Sequence, residues 1–251
     1  MAGADQHAEA GARSQRVALV SGSVRGIGLA VARRLARSGA RVHVTWRSSA
    51  ARADALSAEF EGRVHRADLE DEDETRALIE AVLARDGRLD AFVHAVGEFS
   101  AGPLATTRAA EVRRLLENNV LSAVHAFDAA REPLRAARGA ALFFGVAGLE
   151  GLRGRREAAA YAAAKSALLV LVRSWALEEA AHGVRVNLVS PGVIPHEGAA
   201  AQTHDEARAA RIPLGFAGTP EDVAAAAEFL LSDDARHVTG VDLPVAGGWL
   251  L

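Results

Sequence analysis

The chain has 251 residues, half of them hydrophobic, with 29 basic against 32 acidic side chains and a formal net charge of -3. That length supports one large domain with a core of its own, and the near balance of charge excludes the cationic surface that non-specific nucleic-acid binding needs. With no cysteine anywhere, disulfides, thiolate catalysis and cysteine-based zinc sites are excluded, no metal site is expected, and the cytoplasm is the expected compartment.

Residues 1–15 are Ala, Gly and polar side chains without a sustained apolar period, and they read as a mobile tail without the apolar run of a signal peptide. The domain is expected over residues 16–251, with no run of about 18 apolar residues to mark a membrane span. Its first strand, Arg16–Val20, leads through Ser21-Gly22-Ser23-Val24-Arg25-Gly26-Ile27-Gly28 into an amphipathic helix that runs to Arg37 and stops at Gly39. In that strand-turn-helix setting Gly22, Gly26 and Gly28 permit a tight turn, close backbone approach to a pyrophosphate and close packing of helix on strand. Gly22, Ser23, Arg25, Gly26, Ile27 and Gly28 are therefore expected to cradle a dinucleotide. The second strand, Arg41–Thr45, ends at Trp46-Arg47, where an acidic side chain would accept from the ribose hydroxyls of NAD and repel a 2'-phosphate. No carboxylate stands there, and Arg47 and Arg25 can contact that phosphate, so NADPH is the expected cofactor. The other reading of both arginines is solvated surface.

A third strand, Arg63–Arg66, precedes Asp68, and a fourth, Ala91–Ala95, runs into Val96-Gly97. His94 is expected to be a buried, hydrogen-bonded structural group rather than a catalytic one. Asn118 and Asn119 compete for backbone partners in a helical stretch. The fifth strand, Ala140–Phe144, opens into Gly145-Val146-Ala147-Gly148 and a loop bearing Arg153, Arg155 and Arg156. That loop is expected to border the active site, where its arginines either recognise a carboxylate or phosphate or are solvated surface. A helix over Ala158–Glu179 puts Tyr161 and Lys165 one turn apart on one face. The ammonium is expected to favour the phenolate and lower the tyrosine pKa, so that Tyr161 donates a proton to a carbonyl oxygen. The sixth strand, Val184–Val189, gives way to Ser190-Pro191-Gly192 and a polar stretch from His196 to Arg211, read as a substrate lid or an ordinary surface loop. Thr219-Pro220 is an N-cap signal, and the last strand is placed at Val238–Leu243. Strands alternating with crossover helices must run parallel between two helical layers, giving an α/β, doubly wound parallel sheet of about seven strands in three layers, with ligands beyond the strand C-termini.

The glycine spacing at 22, 26 and 28, Asp68, Gly97, Asn119, Tyr161-Ala-Ala-Ala-Lys165, Ser190-Pro191-Gly192 and Gly247-Gly248-Trp249 together make the chain resemble the short-chain dehydrogenase/reductase family over about residues 16–251. Within it the chain is most similar to 3-oxoacyl-[acyl-carrier-protein] reductases and bacterial ketoreductases. The resemblance implies a Rossmann fold and NADPH-dependent reduction of a ketone, free or carried on an acyl carrier protein. It implies an adenine contact for Asp68, a place in the proton relay for Asn119 with Asn118 facing elsewhere, and proton donation by Tyr161. Lys165 would be the electrostatic partner that reaches the cofactor ribose, and Pro191 and Gly192 would approach the nicotinamide. It also implies a homotetramer, a dimer being the alternative, with the helices around residues 108–135 and 158–180 at an interface. Neither nucleic acid nor membrane is an expected partner.

The chain departs from the family pattern at four places. Ser21 replaces a threonine, His94-Ala95 replaces two asparagines that brace the sheet, and no threonine follows Gly192, where Pro195-His196-Glu197 stands. Residues 123–160 contain no serine or threonine, so the catalytic serine is missing, with Gly145 in its place, or Val146 if the register slips by one. A backbone N–H of Gly145 or Val146, or a water in the space left free, is expected to replace part of the hydroxyl, and Gly145→Ser is expected to leave activity comparable or raise it. Rival readings are a cofactor-binding sensor or partner subunit with little turnover, and a reductase of a conjugated alkene or imine.

Overall fold

The computed structural model describes residues 15–48, 50–195 and 210–250; the expected tail up to residue 14 and the polar stretch from His196 through residue 209 lie outside the described residues. Short runs, mostly apolar, form strands that are buried in the middle of the sheet and partly exposed at its two edges: β1 (Val17–Ser21), β2 (Arg41–Trp46), β3 (Val64–Arg66), β4 (Ala91–His94), β5 (Ala140–Phe144), β6 (Arg185–Pro191) and β7 (Asp242–Val245). All pair in parallel, in the order β3-β2-β1-β4-β5-β6-β7. The order reverses at β1, which places a crevice beyond the C-terminal ends of β1 and β4.

Alternation along the strands separates two cores. On one face Leu19, Phe92, Phe143 and Leu188 pack against α3 (Glu72–Asp86), α5 (Ser122–Ala137) and α6 (Ala159–Glu179). On the other, Val20, Val44, Val93 and Leu142 meet α1 (Gly26–Arg37), α2 (Ala50–Ser57) and α7 (Pro220–Leu231). The expected three layers are thus present. With the turn that follows it, α6 is long and apolar enough to cross a bilayer, but half of that window is buried in the fold, as a helix seated on a sheet requires. Between α4 (Ala109–Leu116) and α5, residues Glu117–Leu121 form a single π-helical turn that buries Asn118 and Asn119.

The last strand begins later than Val238–Leu243. Gly240 adopts φ 74°, and the Thr239 hydroxyl accepts from the Val186 N–H at 3.1 Å, so Thr239 meets β6 through its side chain and regular extension begins only after this turn.

Two buried histidines tie elements together. His94 Nδ1 lies 3.2 Å from Ser21 Oγ and its Nε2 3.1 Å from Ser122 Oγ, joining β4 to β1 and α5. His43 on β2 lies 2.7 Å from Asp86 Oδ2 at the end of α3 and 2.8 Å from His65 Nε2 on β3. Arg41 and Arg63 complete this cluster around the Asp86 carboxylate. Burial pushes His43 down to about 4, and burial, with a smaller contribution from Lys165, pushes His94 down to about 3. An unfolded histidine takes its proton near 6.5, so between that value and the folded ones the unfolded state binds more protons and stability falls as pH falls. Denaturant unfolding at pH 7.5 and pH 4.5 is expected to show a loss of several kcal/mol, and the loss is expected to be smaller in His43→Gln and His94→Asn; equal losses in all three proteins would contradict the assignment.

Candidate active site

The turn after β1 is forced by close approach. A Cβ at Gly22 (φ 64°) would lie 2.6 Å from the Ala95 carbonyl oxygen, and one at Gly28 would lie 2.6 Å from the Gly22 oxygen. Gly26 (φ 55°) faces open space, with no atom within 4 Å of a Cβ position. The helix that starts there is left uncapped. Arg25 at its N-cap makes no side-chain capping bond and no acidic residue stands in the first turn of α1. By contrast, α3 is capped by Asp71 and α7 by the reciprocal Thr219–Asp222 box. An uncapped N-terminus of a 12-residue helix beside an open glycine fits a pyrophosphate. Ile27 packs into the core behind the turn. Ser23, expected to face the dinucleotide, turns its hydroxyl inward, where it donates to the Val20 carbonyl at 2.6 Å and accepts from the Thr45 N–H at 3.0 Å.

At the end of β2 the Arg47 guanidinium donates to Glu70 at 2.8 Å and lies 3.5 Å from Asp68. Asn118 donates to the same Glu70 carboxylate at 2.6 Å and so faces away from Asn119. Arg25 is exposed.

The π-helical turn delivers Asn119. Its Nδ2 donates to the Glu98 carbonyl at 3.0 Å and the Leu115 carbonyl at 3.1 Å, which fixes the amide and leaves Oδ1 buried without a protein donor. Lys165 is 3% exposed, and its Nζ lies 5.7 Å from the Tyr161 ring centre. Gly97 shows how tightly these groups converge: a Cβ there would lie 2.5 Å from Asn119 Oδ1 and 3.1 Å from Lys165 Nζ. The glycine therefore clears space for both polar groups, a role its sequence position did not reveal. Phe99 meets Tyr161 edge-on, with ring centres 5.1 Å apart.

Burial lowers Lys165 to about 8. It also pushes the Tyr161 hydroxyl up to about 12, the reverse of the expected lowering, and the charge that opposes the rise is that of Arg155. Desolvation of the phenolate outweighs that charge. Of the three loop arginines only Arg155 is half-buried; Arg153 and Arg156 are exposed. Arg155 Nη2 donates to the Ala147 carbonyl at 2.7 Å.

The place of the absent serine is filled from the next strand. Phe144 pairs with Val189, so Gly145 sits beside Ser190. A Cβ at Gly145 would overlap Ser190 Oγ and lie 2.5 Å from Leu188 Cδ2. The Gly145 N–H donates to the Val189 carbonyl at 2.8 Å. The expected Gly145 N–H cannot replace the hydroxyl, because it belongs to the ladder, and a water beside it has no room; the Val146 N–H, the other donor expected, makes no hydrogen bond among the described residues. Gly192 is held as closely, a Cβ there lying 2.7 Å from Ala246 Cα, while Pro191 accepts from the Ala147 N–H at 2.9 Å. Both stand at the strand ends that border the crevice.

The family described as Enoyl-(Acyl carrier protein) reductase matches residues 22–250. L-fucose dehydrogenase of Oryctolagus cuniculus is 38% identical over 93% of this chain and 84% of its own length. Cis-4-hydroxycyclohexanecarboxylate dehydrogenase of Sinomonas cyclohexanicum is 36% identical over 94% and 97%. The crystal structure of a blue fluorescent protein from a metagenomic library, in complex with NADPH, superposes with a TM-score of 0.84 at 33% identity, over 94% of this chain and 98% of that one.

Overpacking of a filled core costs about 1–3 kcal/mol. Gly145→Ser is therefore expected to lower stability by about that amount, and added Ser190→Ala is expected to restore part of it. Additive losses in the double variant, read by thermal unfolding, would show that the two positions do not compete.

Proposed function

Since the chain belongs to the short-chain dehydrogenase/reductase family and is an NAD(P)-dependent oxidoreductase, we propose that it reduces a small ketone with NADPH, Tyr161 giving the proton. The observation that carries this reading is the convergence of Tyr161, Lys165 and Asn119 at the C-terminal ends of the strands, behind Gly97. When bound, the reduced nicotinamide supplies the hydride. The Tyr161 hydroxyl donates to the carbonyl oxygen and passes its proton there as charge develops. Lys165 favours the phenolate that is left, and Asn119, fixed by its two carbonyl bonds, turns an acceptor towards the ammonium side of the site. Gly22, Gly26, Gly28 and the open end of α1 would hold the pyrophosphate, Asp68 the adenine side, and Pro191-Gly192 the nicotinamide side.

NADPH is favoured by the absence of a carboxylate at Trp46-Arg47. Arg47 is held by Glu70 and Asp68, yet its side chain is 53% exposed, and exposed pairs are worth about 1 kcal/mol or less. A 2'-phosphate can therefore redirect the guanidinium, and Arg25 is exposed as well. The relatives named for alcohols support a C–OH/C=O reaction. Exposed apolar side chains on loops leaving the C-terminal ends of β4, β5 and β6, namely Phe99, Leu152, Leu214 and Phe216, suit an apolar substrate. Exposed Leu121, Val170 and Leu177 on α6 and the turn before α5 suit a homo-oligomer, tetramer or dimer. A cytoplasmic location fits a cysteine-free chain.

Purified protein is expected to oxidise NADPH faster than NADH with cyclic ketones or 3-oxoacyl thioesters, and Tyr161→Phe to lose about two orders of magnitude or more in turnover. Arg47→Glu is expected to weaken NADP+ binding at least about tenfold and spare NAD+. Reduction of enones at the alkene, or tight NADPH binding with no turnover on ketone, enone or imine, would replace this reading with one of its rivals.

A further inference from the structure

We propose that the Arg155 guanidinium stands in for the absent serine hydroxyl, holding positive charge beside Tyr161 and the oxygen that the tyrosine protonates. The inference rests on the reading of this site as that of a ketone reductase. Its starting point is a process of elimination at the end of β5. The Gly145 N–H is bound to Val189, the Ala147 N–H to Pro191, and the Ser190 hydroxyl, 1% exposed, is packed where a side chain at 145 would begin. None of these three can reach a substrate oxygen, which leaves the Val146 N–H and, among side chains, Arg155.

Arg155 can. Its guanidinium is anchored on the Ala147 carbonyl, two residues beyond Gly145, and a Cβ at Gly148 would lie 3.4 Å from its Nη2. It is half-buried, and among the described residues no carboxylate pairs with it. Arg33, Arg63 and Arg135, by contrast, each meet a carboxylate. A partly desolvated cation left without a counter-charge is available to negative charge that develops beside it. The segment that carries it is fixed at some conformational cost. Leu152 (φ 46°) and Ala158 (φ 55°) both adopt the left-handed region, and the Ala158 N–H is tied to the Gly102 carbonyl at 3.1 Å. Such strain persists where the surroundings demand it. The direction of the Tyr161 shift agrees, since Arg155 is the charge that opposes the effect of burial on that hydroxyl.

The chemistry accounts for why a cation suits this place. As hydride adds to the carbonyl carbon, the π pair moves onto oxygen, which then takes the Tyr161 proton and leaves a phenolate. Negative charge passes from one oxygen to the other without leaving the neighbourhood of the guanidinium. A preorganised cation stabilises it at both positions, where a neutral hydroxyl would offer one hydrogen bond.

Tyr161 is the only tyrosine in the chain, so tyrosinate absorbance reports its ionisation alone. In the protein without substrate, Arg155→Met is expected to reduce the tyrosinate fraction reached in the alkaline range where circular dichroism stays native, and Arg155→Lys to recover part of it. On a neutral cyclic ketone, Arg155→Met is expected to lower kcat roughly a hundredfold with KM changed little. Unchanged tyrosine ionisation would overturn the proposal. So would an unchanged kcat on the neutral ketone together with a raised KM for a keto acid, which would make Arg155 an anchor for substrate carboxylate. If the unaltered protein reduces no ketone, the reductase reading fails, while the tyrosine titration still decides whether Arg155 acts on Tyr161.

Discussion

Taking an ammonium out of water costs several kcal/mol unless its surroundings are arranged to receive it, and Lys165 keeps only 3% of its surface exposed. Much of the catalytic end of the sheet follows from that constraint. The helix before it is interrupted by one π-helical turn, which brings a buried carboxamide oxygen, Asn119 Oδ1, to the ammonium side of the site. The loop that leaves β4 must carry a residue without a side chain, Gly97, because the two polar groups occupy the space. Burial lowers the lysine only to about 8, so it stays largely charged at neutral pH while the tyrosine beside it stays protonated.

What could be read in the sequence was whatever is set by short-range pattern. The alternation of β-branched runs with helical segments determines the sheet and its three layers, and the glycines at 22, 26 and 28 mark the open turn because each is needed within a few residues of chain. Tyr161 and Lys165 share a face by helical spacing alone. Features that depend on neighbours distant in sequence were not legible. The Ser23 hydroxyl turns inward because Thr45, from another strand, takes it. The Tyr161 shift reverses the expected sign because it is governed by burial, which no spacing reveals. The final strand starts later than its apolar run because a left-handed glycine precedes it.

His94 shows how a departure from a family pattern can preserve its purpose. Two asparagines that would brace the middle of the sheet are replaced by one imidazole and an alanine, which seemed to weaken the bracing. The imidazole instead reaches in both directions, to Ser21 on β1 and Ser122 on α5, and stacks obliquely among Phe92 and Phe143. A neutral histidine carries one donor and one acceptor at opposite ends of a rigid ring, so it spans the sheet-to-helix gap while contributing aromatic packing. Its partner serines supply the flexible part of the link.

The mutual exclusion between Gly145 and the Ser190 side chain has a historical meaning. Two adjacent positions on neighbouring strands hold one side chain between them, so a hydroxyl on β5 and a hydroxyl on β6 are alternatives. A lineage that took the second configuration recovers the first by a single substitution only at a cost of about 1–3 kcal/mol, because each step alone meets either a crowded or an emptied site. The loss of the serine is in that sense ratcheted, and any later improvement in catalysis has to be recruited from elsewhere around the oxygen.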